Sequence, residues 1–138
     1  MKKIISSIIF SLSIAFGQIN YYVSTTGNDL NSGSFGTPWL TIQFGLNQLS
    51  TNDTLNILTG TYSEKISIPI NNIYLRNYLS NTPVIDATGN ISQNPIIDIT
   101  NKSNVTIDGL ELRNNIQNDA QGVLMDGSGT NITIKNCI

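Results

Sequence analysis

The sequence predicts an all-β fold, a right-handed parallel β-helix with one N-terminal helix, from a recurring phrase, short strands and a single helix signal. The phrase occurs at Asn72–Asn77, Asn104–Gly109 and Asn131–Asn136, with starts 32 and then 27 residues apart. Each copy alternates apolar and polar positions, which is typical of a short strand with one buried face. Strands of three to five residues separated by corners favour stacked coils over a β-sandwich, whose longer strands are joined by hairpins.

Alignment of the three copies predicts which side chains stack between coils. Inward positions are expected at Ile73, Leu75, Val105, Ile107, Ile132 and Ile134. Outward positions are expected to form two columns, Tyr74–Thr106–Thr133 and Arg76–Asp108–Lys135. The second column alternates in charge, which avoids contact between like charges. Asn77 and Asn136 close two copies, and we expect their amides to stack at this corner.

The helix signal lies near the start of the chain. Thr41 is a candidate N-cap, and Ile42, Leu46 and Leu49 follow at the spacing of one apolar stripe. We expect a helix at about 41–50 to cover the N-terminal mouth of the solenoid, whose apolar core and strand edges need protection. Coils are expected from about 53 to 138, with a corner at 60–62. The turn-rich segment 25–38 is expected to be a loop fixed by side-chain hydrogen bonds, and calcium at Asp29 is the weaker alternative.

The first seventeen residues are typical of a secretory signal peptide. Lys2 and Lys3 precede the apolar run Ile4–Phe16, and small residues end at Gly17, so residues 18–138 are the expected mature domain. A run of about 13 residues is shorter than the roughly 20 needed to span a bilayer, so no membrane span is expected after cleavage. The protein is therefore predicted to be secreted or held at the cell surface.

Composition excludes several functions. The net charge of −2 falls to −4 once Lys2 and Lys3 are removed, and basic residues form no cluster. Nucleic acid and anionic membrane are therefore not expected as partners. The sequence contains no histidine, which excludes a histidine-based triad, histidine metal ligands and a histidine general base within this chain.

Several stretches resemble a known family. They are Tyr22–Ser24, Gly27–Asp29, Asn31–Gly33, Pro38–Gln43, Asp53–Tyr62, Pro83–Ala87 and Asn104–Leu110. They resemble the N-terminal opening of secreted, pectate-lyase-like right-handed β-helix proteins, among them polysaccharide lyase family 9. The resemblance implies a first strand, a capping helix and the first coils. It also implies extracellular polysaccharide as the partner, with acidic polysaccharide as a candidate.

In that family, clustered aspartates bind calcium and a lysine or arginine removes the C5 proton of a uronic acid. This chain has no Asp-rich cluster that corresponds to the family's ligands. The best local constellation for an enzyme is Asp98, Asp108 and Asp126 as candidate metal ligands, with Arg113 or Lys135 as the base. Hydrolysis would instead need two carboxylates at a defined separation. The alternative is structural, because Asp108 fits the charge-paired column, and Asp98 and Asp126 fit ordinary turn positions.

A second hypothesis is a non-catalytic module that binds surface glycans or serves as an adhesion module or rigid stalk. Rows of Asn, Thr, Ser and Tyr suit hydrogen bonding to sugars, and Tyr74 and Tyr78 are candidates for stacking on a sugar ring. The sequence leaves open whether the protein is an enzyme. Because residue 138 falls partway through a coil, we expect the chain to be the N-terminal part of a longer protein and to be inactive alone.

Overall fold

The computed structural model describes residues 17–89, 95–116 and 120–138, and this part of the chain contains eleven strands and one helix. Sheet 1 has five strands, β1 Asn20–Val23, β2 Thr54–Ile57, β5 Ile73–Asn77, β8 Val105–Asp108 and β11 Ile132–Lys135. Sheet 2 has β3 Gly60–Tyr62, β6 Pro83–Asp86 and β9 Glu111–Arg113. Sheet 3 has β4 Ile66–Ser67, β7 Ile97–Asp98 and β10 Val123–Leu124. The helix, α1, is Ile42–Gln48.

Every strand pairing among these strands is parallel. After α1 the chain passes from sheet 1 to sheet 2 to sheet 3 and back, and each strand lies beside the strand one circuit earlier. The predicted all-β parallel fold is therefore confirmed. The signal-peptide prediction concerns residues 1–17, of which 1–16 lie outside the described part of the chain.

The register within sheet 1 agrees with the alignment of the three phrases. Ile73 and Ile132 pair with Val105, and Leu75 and Ile134 pair with Ile107. The side chains of Ile73, Leu75, Val105 and Ile107 have no exposed surface, whereas Ile134 on the edge strand β11 is 38% exposed. Both outward columns also align as predicted, Tyr74–Thr106–Thr133 and Arg76–Asp108–Lys135. The short period-2 pattern thus determined the inward and outward faces correctly.

The expected corner at 60–62 is wrong, because these residues form β3. Gly60 and Tyr62 pair with Pro83 and Ile85 of β6. Burial explains the difference, since the Tyr62 ring lies in the core and its hydroxyl donates to the carbonyl of Leu58 at 2.9 Å. Burial also raises the pKa of the Tyr62 hydroxyl. The chain instead turns between β2 and β3, in only two residues.

Asparagine amides stack at the start of the phrase and not at its end. The Asn104 amide donates to the Asn72 side-chain oxygen, and Asn131 donates to that of Asn104, each at 2.7 Å. Asn77 and Asn136 were expected to stack on one another and on backbone, but they form no hydrogen bond with each other. Asn77 donates to backbone carbonyls of its own loop, and Asn136 donates to Asp108.

The predicted helix is present and ends at Gln48. Thr41 is its N-cap and accepts from the amide of Phe44 at 3.3 Å, while Ile42 and Leu46 are fully buried. The helix packs against β1, β2 and β4. Gly45 allows this approach, because a Cβ there would lie about 3.0 Å from the side chain of Leu55. No helix among the described residues has the length and apolar character required to cross a membrane.

Two carboxylates from other parts of the chain hold the start of α1. Asp29 accepts from the amides of Leu40 and Thr41 at 2.8 and 3.0 Å and from the Thr41 hydroxyl at 2.9 Å. Glu64 accepts from the amides of Ile42 and Gln43 at 2.9 and 3.0 Å. Burial raises the pKa of Glu64, and nearby Asp29 raises it further. Asp29 therefore fixes the 25–38 loop to the helix, as the structural interpretation of that loop predicted.

Candidate functional site: a polar cleft at the corner between sheets 1 and 2

A cleft of about 440 Å³ lies where the chain turns from sheet 1 into sheet 2. Two carboxylates and three side-chain amides line it, together with apolar groups. The lining residues are Asn77, Leu79, Asn81, Thr82, Pro83, Asp108, Gly109, Leu110, Glu111, Asn136 and Ile138. They come from three successive circuits of the chain, so the parallel stacking itself builds the cleft.

The shape of the cleft depends on the difference between two neighbouring corners. Between β8 and β9 the chain turns at Gly109, whose φ of 69° favours glycine. A Cβ at Gly109 would lie 2.4 Å from the side-chain oxygen of Asn77, so only glycine fits beneath that amide. In the preceding circuit the corner is longer, and Asn81 fixes it by accepting from the amide of Thr59 at 2.7 Å. The longer loop forms one wall of the cleft.

Asp108 is held in place by two neighbours from the next circuit. The side-chain amide of Asn136 donates to its Oδ1 at 2.8 Å, and Lys135 Nζ lies 3.4 Å from its Oδ2. Lys135 is half exposed, so the ion pair contributes little to stability but orients the carboxylate. Two of the predicted site residues, Asp108 and Lys135, are thus in contact.

Glu111 belongs to a second charged group on the same corner. Arg113 Nη1 lies 3.5 Å from Glu111 Oε1, and Arg113 Nε lies 3.0 Å from Asp86 Oδ2. Arg113, a predicted catalytic residue, therefore bridges two carboxylates. Neither Asp86 nor Glu111 was predicted to be a site residue. In the structure β6 pairs with β9, which places Asp86 beside Arg113. The sequence alignment did not show this, because it used the repeated phrase of sheet 1, which β6 and β9 lack.

Asp86, the last residue of β6, accepts several hydrogen bonds. Thr88 donates its amide to Oδ1 at 2.8 Å, and the Asn114 side chain donates to both oxygens at 3.1 and 3.0 Å. These bonds, led by those from Thr88 and aided by Asn114 and Arg113, hold the pKa of Asp86 well below its usual range. Its side chain is 11% exposed. Asp86 is ionised at neutral pH and fixes Arg113.

Asp98 and Asp126 lie elsewhere, on sheet 3 and the turn that follows it. Asp98 Oδ1 accepts from the amide of Thr100 at 2.8 Å, and Asp126 Oδ1 accepts from that of Gly127 at 2.6 Å. Both are turn contacts, as the structural alternative predicted. Among the described residues, no group of three His, Cys, Asp or Glu side chains could hold a metal ion, so the structure does not assemble Asp98, Asp108 and Asp126. A calcium role for them stays a prediction.

The two tyrosines predicted to bind substrate differ in their surroundings. Tyr74 points outward from the middle of sheet 1 and is 46% exposed. Tyr78 packs against Tyr22 and Phe35, and all three pairs of ring centroids are 5.3 Å apart. Tyr78 is the first residue after β5, so this three-ring cluster lies at the start of the long corner loop.

The cleft can bind a hydroxyl-rich ligand. Asp108 and Glu111 offer acceptors, Asn136 and Asn81 offer amide groups, and Leu110 and Pro83 offer apolar surface. Hydrogen bonds and ion pairs within the protein orient several of these groups before any ligand arrives, which reduces the entropy cost of binding. The cations beside them are engaged with carboxylates, which favours recognition over proton abstraction by a free base.

No protein-family model matches the sequence, and no curated protein matches it. A solved structure of a rhamnogalacturonan lyase is similar in fold, with a TM-score of 0.56 and 17% sequence identity. The match covers 70% of this chain and 28% of that protein. At this identity the likeness shows a shared fold alone, and membership of polysaccharide lyase family 9 stays a prediction.

Proposed function

We propose that this chain is part of an exported right-handed parallel β-helix, with α1 covering its N-terminal end, that binds extracellular polysaccharide at the corner cleft. Three parallel sheets visited in turn support the solenoid, and the buried stripe of α1 supports the covering role. The fold likeness to a rhamnogalacturonan lyase supports a polysaccharide as the ligand.

One observation carries the proposal, the cleft of about 440 Å³ with oriented carboxylates and amides. Sugars present many hydroxyls that both donate and accept hydrogen bonds, and carboxylates with side-chain amides are matching partners. Residues of three successive circuits line the cleft, and the circuits repeat about every 4.8 Å. A chain of sugars can therefore lie across successive circuits.

Isothermal titration calorimetry with oligosaccharides of rhamnogalacturonan and of galactan tests this proposal. Glu111→Gln keeps the side-chain shape but removes a charged acceptor, and we expect about tenfold weaker binding. The matched control is Asp126→Asn, which removes a carboxylate from the turn after sheet 3 and should leave affinity unchanged. Equal affinity of the Glu111→Gln variant and the unmodified protein would contradict binding in the cleft.

The second candidate function is β-elimination by a lyase. It is supported by the fold likeness and by Lys135, a potential base that lies 3.4 Å from Asp108. We expect no activity from this chain, because both Lys135 and Arg113 are paired with carboxylates. Ultraviolet absorbance of unsaturated sugars, followed with pectate and alginate in the presence of calcium, is the measurement. Product that disappears in a Lys135→Ala variant would establish the lyase instead.

A further inference from the structure

Arg76 is the cation of the predicted charge column that forms no ion pair with Asp108. The alignment places it beside Asp108, and the register confirms that neighbourhood. Asp108 nevertheless pairs with Lys135, and Arg76 makes no ion pair with any carboxylate of the described residues. Its side chain is exposed on the outer face of sheet 1. A guanidinium group without a carboxylate partner is therefore available to a ligand.

Arg76 is nonetheless held in a defined position. Its Nε donates to Oδ1 of Asn56 at 2.9 Å. Asn56 is 1% exposed although its strand position faces outward, and its own amide donates to Asn20 Oδ1 and to the carbonyl of Tyr21. The Nε bond uses one of the five guanidinium donors, which leaves the two terminal nitrogens for a bidentate contact.

Aromatic side chains surround this arginine along the strand and across the sheet. Tyr74 precedes it by two residues on the same outward face of β5, and Tyr78 follows it by two residues. Tyr22 occupies the outward position two strands away, in register with Asn56 and then Arg76. At about 4.8 Å per strand, Tyr22 and Arg76 are separated by about 10 Å, the width of one to two sugar rings. Phe35, 56% exposed, packs on Tyr22 and Tyr78.

We propose that this surface, Arg76 with Tyr22, Tyr74, Tyr78 and Phe35, is a second binding site that takes an acidic sugar. The carboxylate or sulfate of the sugar binds the free edge of the guanidinium, and the apolar face of its ring lies against an exposed aromatic side chain. Arginine matches a planar oxyanion through two parallel hydrogen bonds. Aromatic rings provide apolar surface with little side-chain entropy to lose.

Charge complementarity selects an anionic ligand for this surface. The outward column carries Arg76, Asp108 and Lys135, and the pairing of the last two leaves the charge of Arg76 uncompensated. The chain is acidic overall, so an anionic sugar is attracted to the charge of Arg76, which has no carboxylate partner among the described residues. The site rests on the proposed polysaccharide binding, but it lies on the sheet face, whereas the cleft lies at the corner.

The test compares two ligands that differ only in charge, an oligogalacturonate and its methyl ester, by calorimetry at low ionic strength. We expect the acid to bind the unmodified protein three- to tenfold more tightly than the ester. Arg76→Gln should remove that preference, and Tyr74→Ala should weaken both ligands. Lys102→Gln, which removes one positive charge from the corner before β8, is the matched control and should retain the preference.

A sulfated galactan oligosaccharide distinguishes sulfate from carboxylate, and the planar carboxylate should bind more tightly.

The outcomes separate this site from the cleft. A preference for the acid that survives in Arg76→Gln overturns the site, as does equal binding of acid and ester. If the ester binds and Glu111→Gln weakens it while Arg76→Gln has no effect on either ligand, the cleft stands and the Arg76 site fails. If no oligosaccharide binds the unmodified protein, both proposals fail.

Discussion

Asparagine at left-handed positions determines where the strands of sheet 1 begin. Asn52, Asn72, Asn104 and Asn131 have φ angles between 56° and 75° and stand just before β2, β5, β8 and β11. Asparagine tolerates this conformation better than most residues, and its amide can bond to the equivalent residue of the next circuit. The same residue type therefore supplies both the turn and a contact between circuits.

A pair of substitutions separates these two roles at Asn104. We expect Asn104→Ala to lower the free energy of unfolding by about 2 kcal/mol, since it loses two amide bonds and alanine tolerates positive φ less well than asparagine. Asn104→Gly keeps the backbone conformation and should cost about half as much. Urea unfolding followed by circular dichroism measures both values. Equal losses for the two variants would show that backbone conformation is unimportant at this corner.

Asp86 should make stability depend on pH in the acid range. Its pKa in the folded chain is lower than the ordinary value of 3.8, so the ionised carboxylate stabilises the fold above that value. The contribution is lost as pH falls below 3.8 toward the lower pKa of the folded state. We therefore expect Asp86→Asn to lower the melting temperature near neutral pH, with a difference that shrinks in acid. A difference that is constant with pH would contradict this assignment.

At the level of single residues the sequence predicted contacts only where the phrase repeats. It placed Asp108 beside Lys135 and Tyr74 beside Thr106, because those residues occupy equal positions in aligned copies. It missed Asn56, the partner of Arg76, because the β2 segment was not aligned with the phrase. Which neighbour a side chain contacts depends on three-dimensional geometry, and the pattern of residues along the sequence does not specify that geometry.

The elements were predictable where hydrophobic spacing is unambiguous. The spacing of Ile42, Leu46 and Leu49 predicted the helix. Strand β3 was missed because Gly60 is a turn former by composition, while burial of Tyr62 and pairing with β6 favour an extended chain. Tertiary contacts outweighed local preference there.

Leu46 tests how much α1 contributes to the fold. Its side chain is fully buried in the helix stripe, so Leu46→Ala should lower the free energy of unfolding by about 3 kcal/mol through lost burial and a cavity. Gln48→Ala on the exposed side of the same helix should change it by less than about 0.5 kcal/mol. Denaturant unfolding provides the comparison. A small loss for Leu46→Ala would mean that the sheets are stable without the helix packed on them.

For the whole molecule, the sequence predicted the parallel all-β architecture because stacking imposes a repeat on the core, and the repeat is visible in the chain. The cleft was not predictable, since it arises from two neighbouring corners of unequal length. Asp108 nevertheless lines the cleft, and Lys135 and Arg113 pair with its two carboxylates, Asp108 and Glu111. Asp98 and Asp126 lie on sheet 3 and the turn that follows it. The sequence shows which charged side chains the protein has. Which of them lie close together depends on the path of the folded chain.

The most direct test of the account is a map of backbone amide shifts in the nuclear magnetic resonance spectrum during titration with an acidic oligosaccharide. We predict shifts at the cleft, led by Asn81, Gly109 and Glu111, and on the outer face of sheet 1 around Arg76. Amides near Asp98 and Asp126 should remain unchanged. Shifts confined to sheet 3 and the turn after it, or no shifts at saturating sugar, would contradict the proposed binding surfaces.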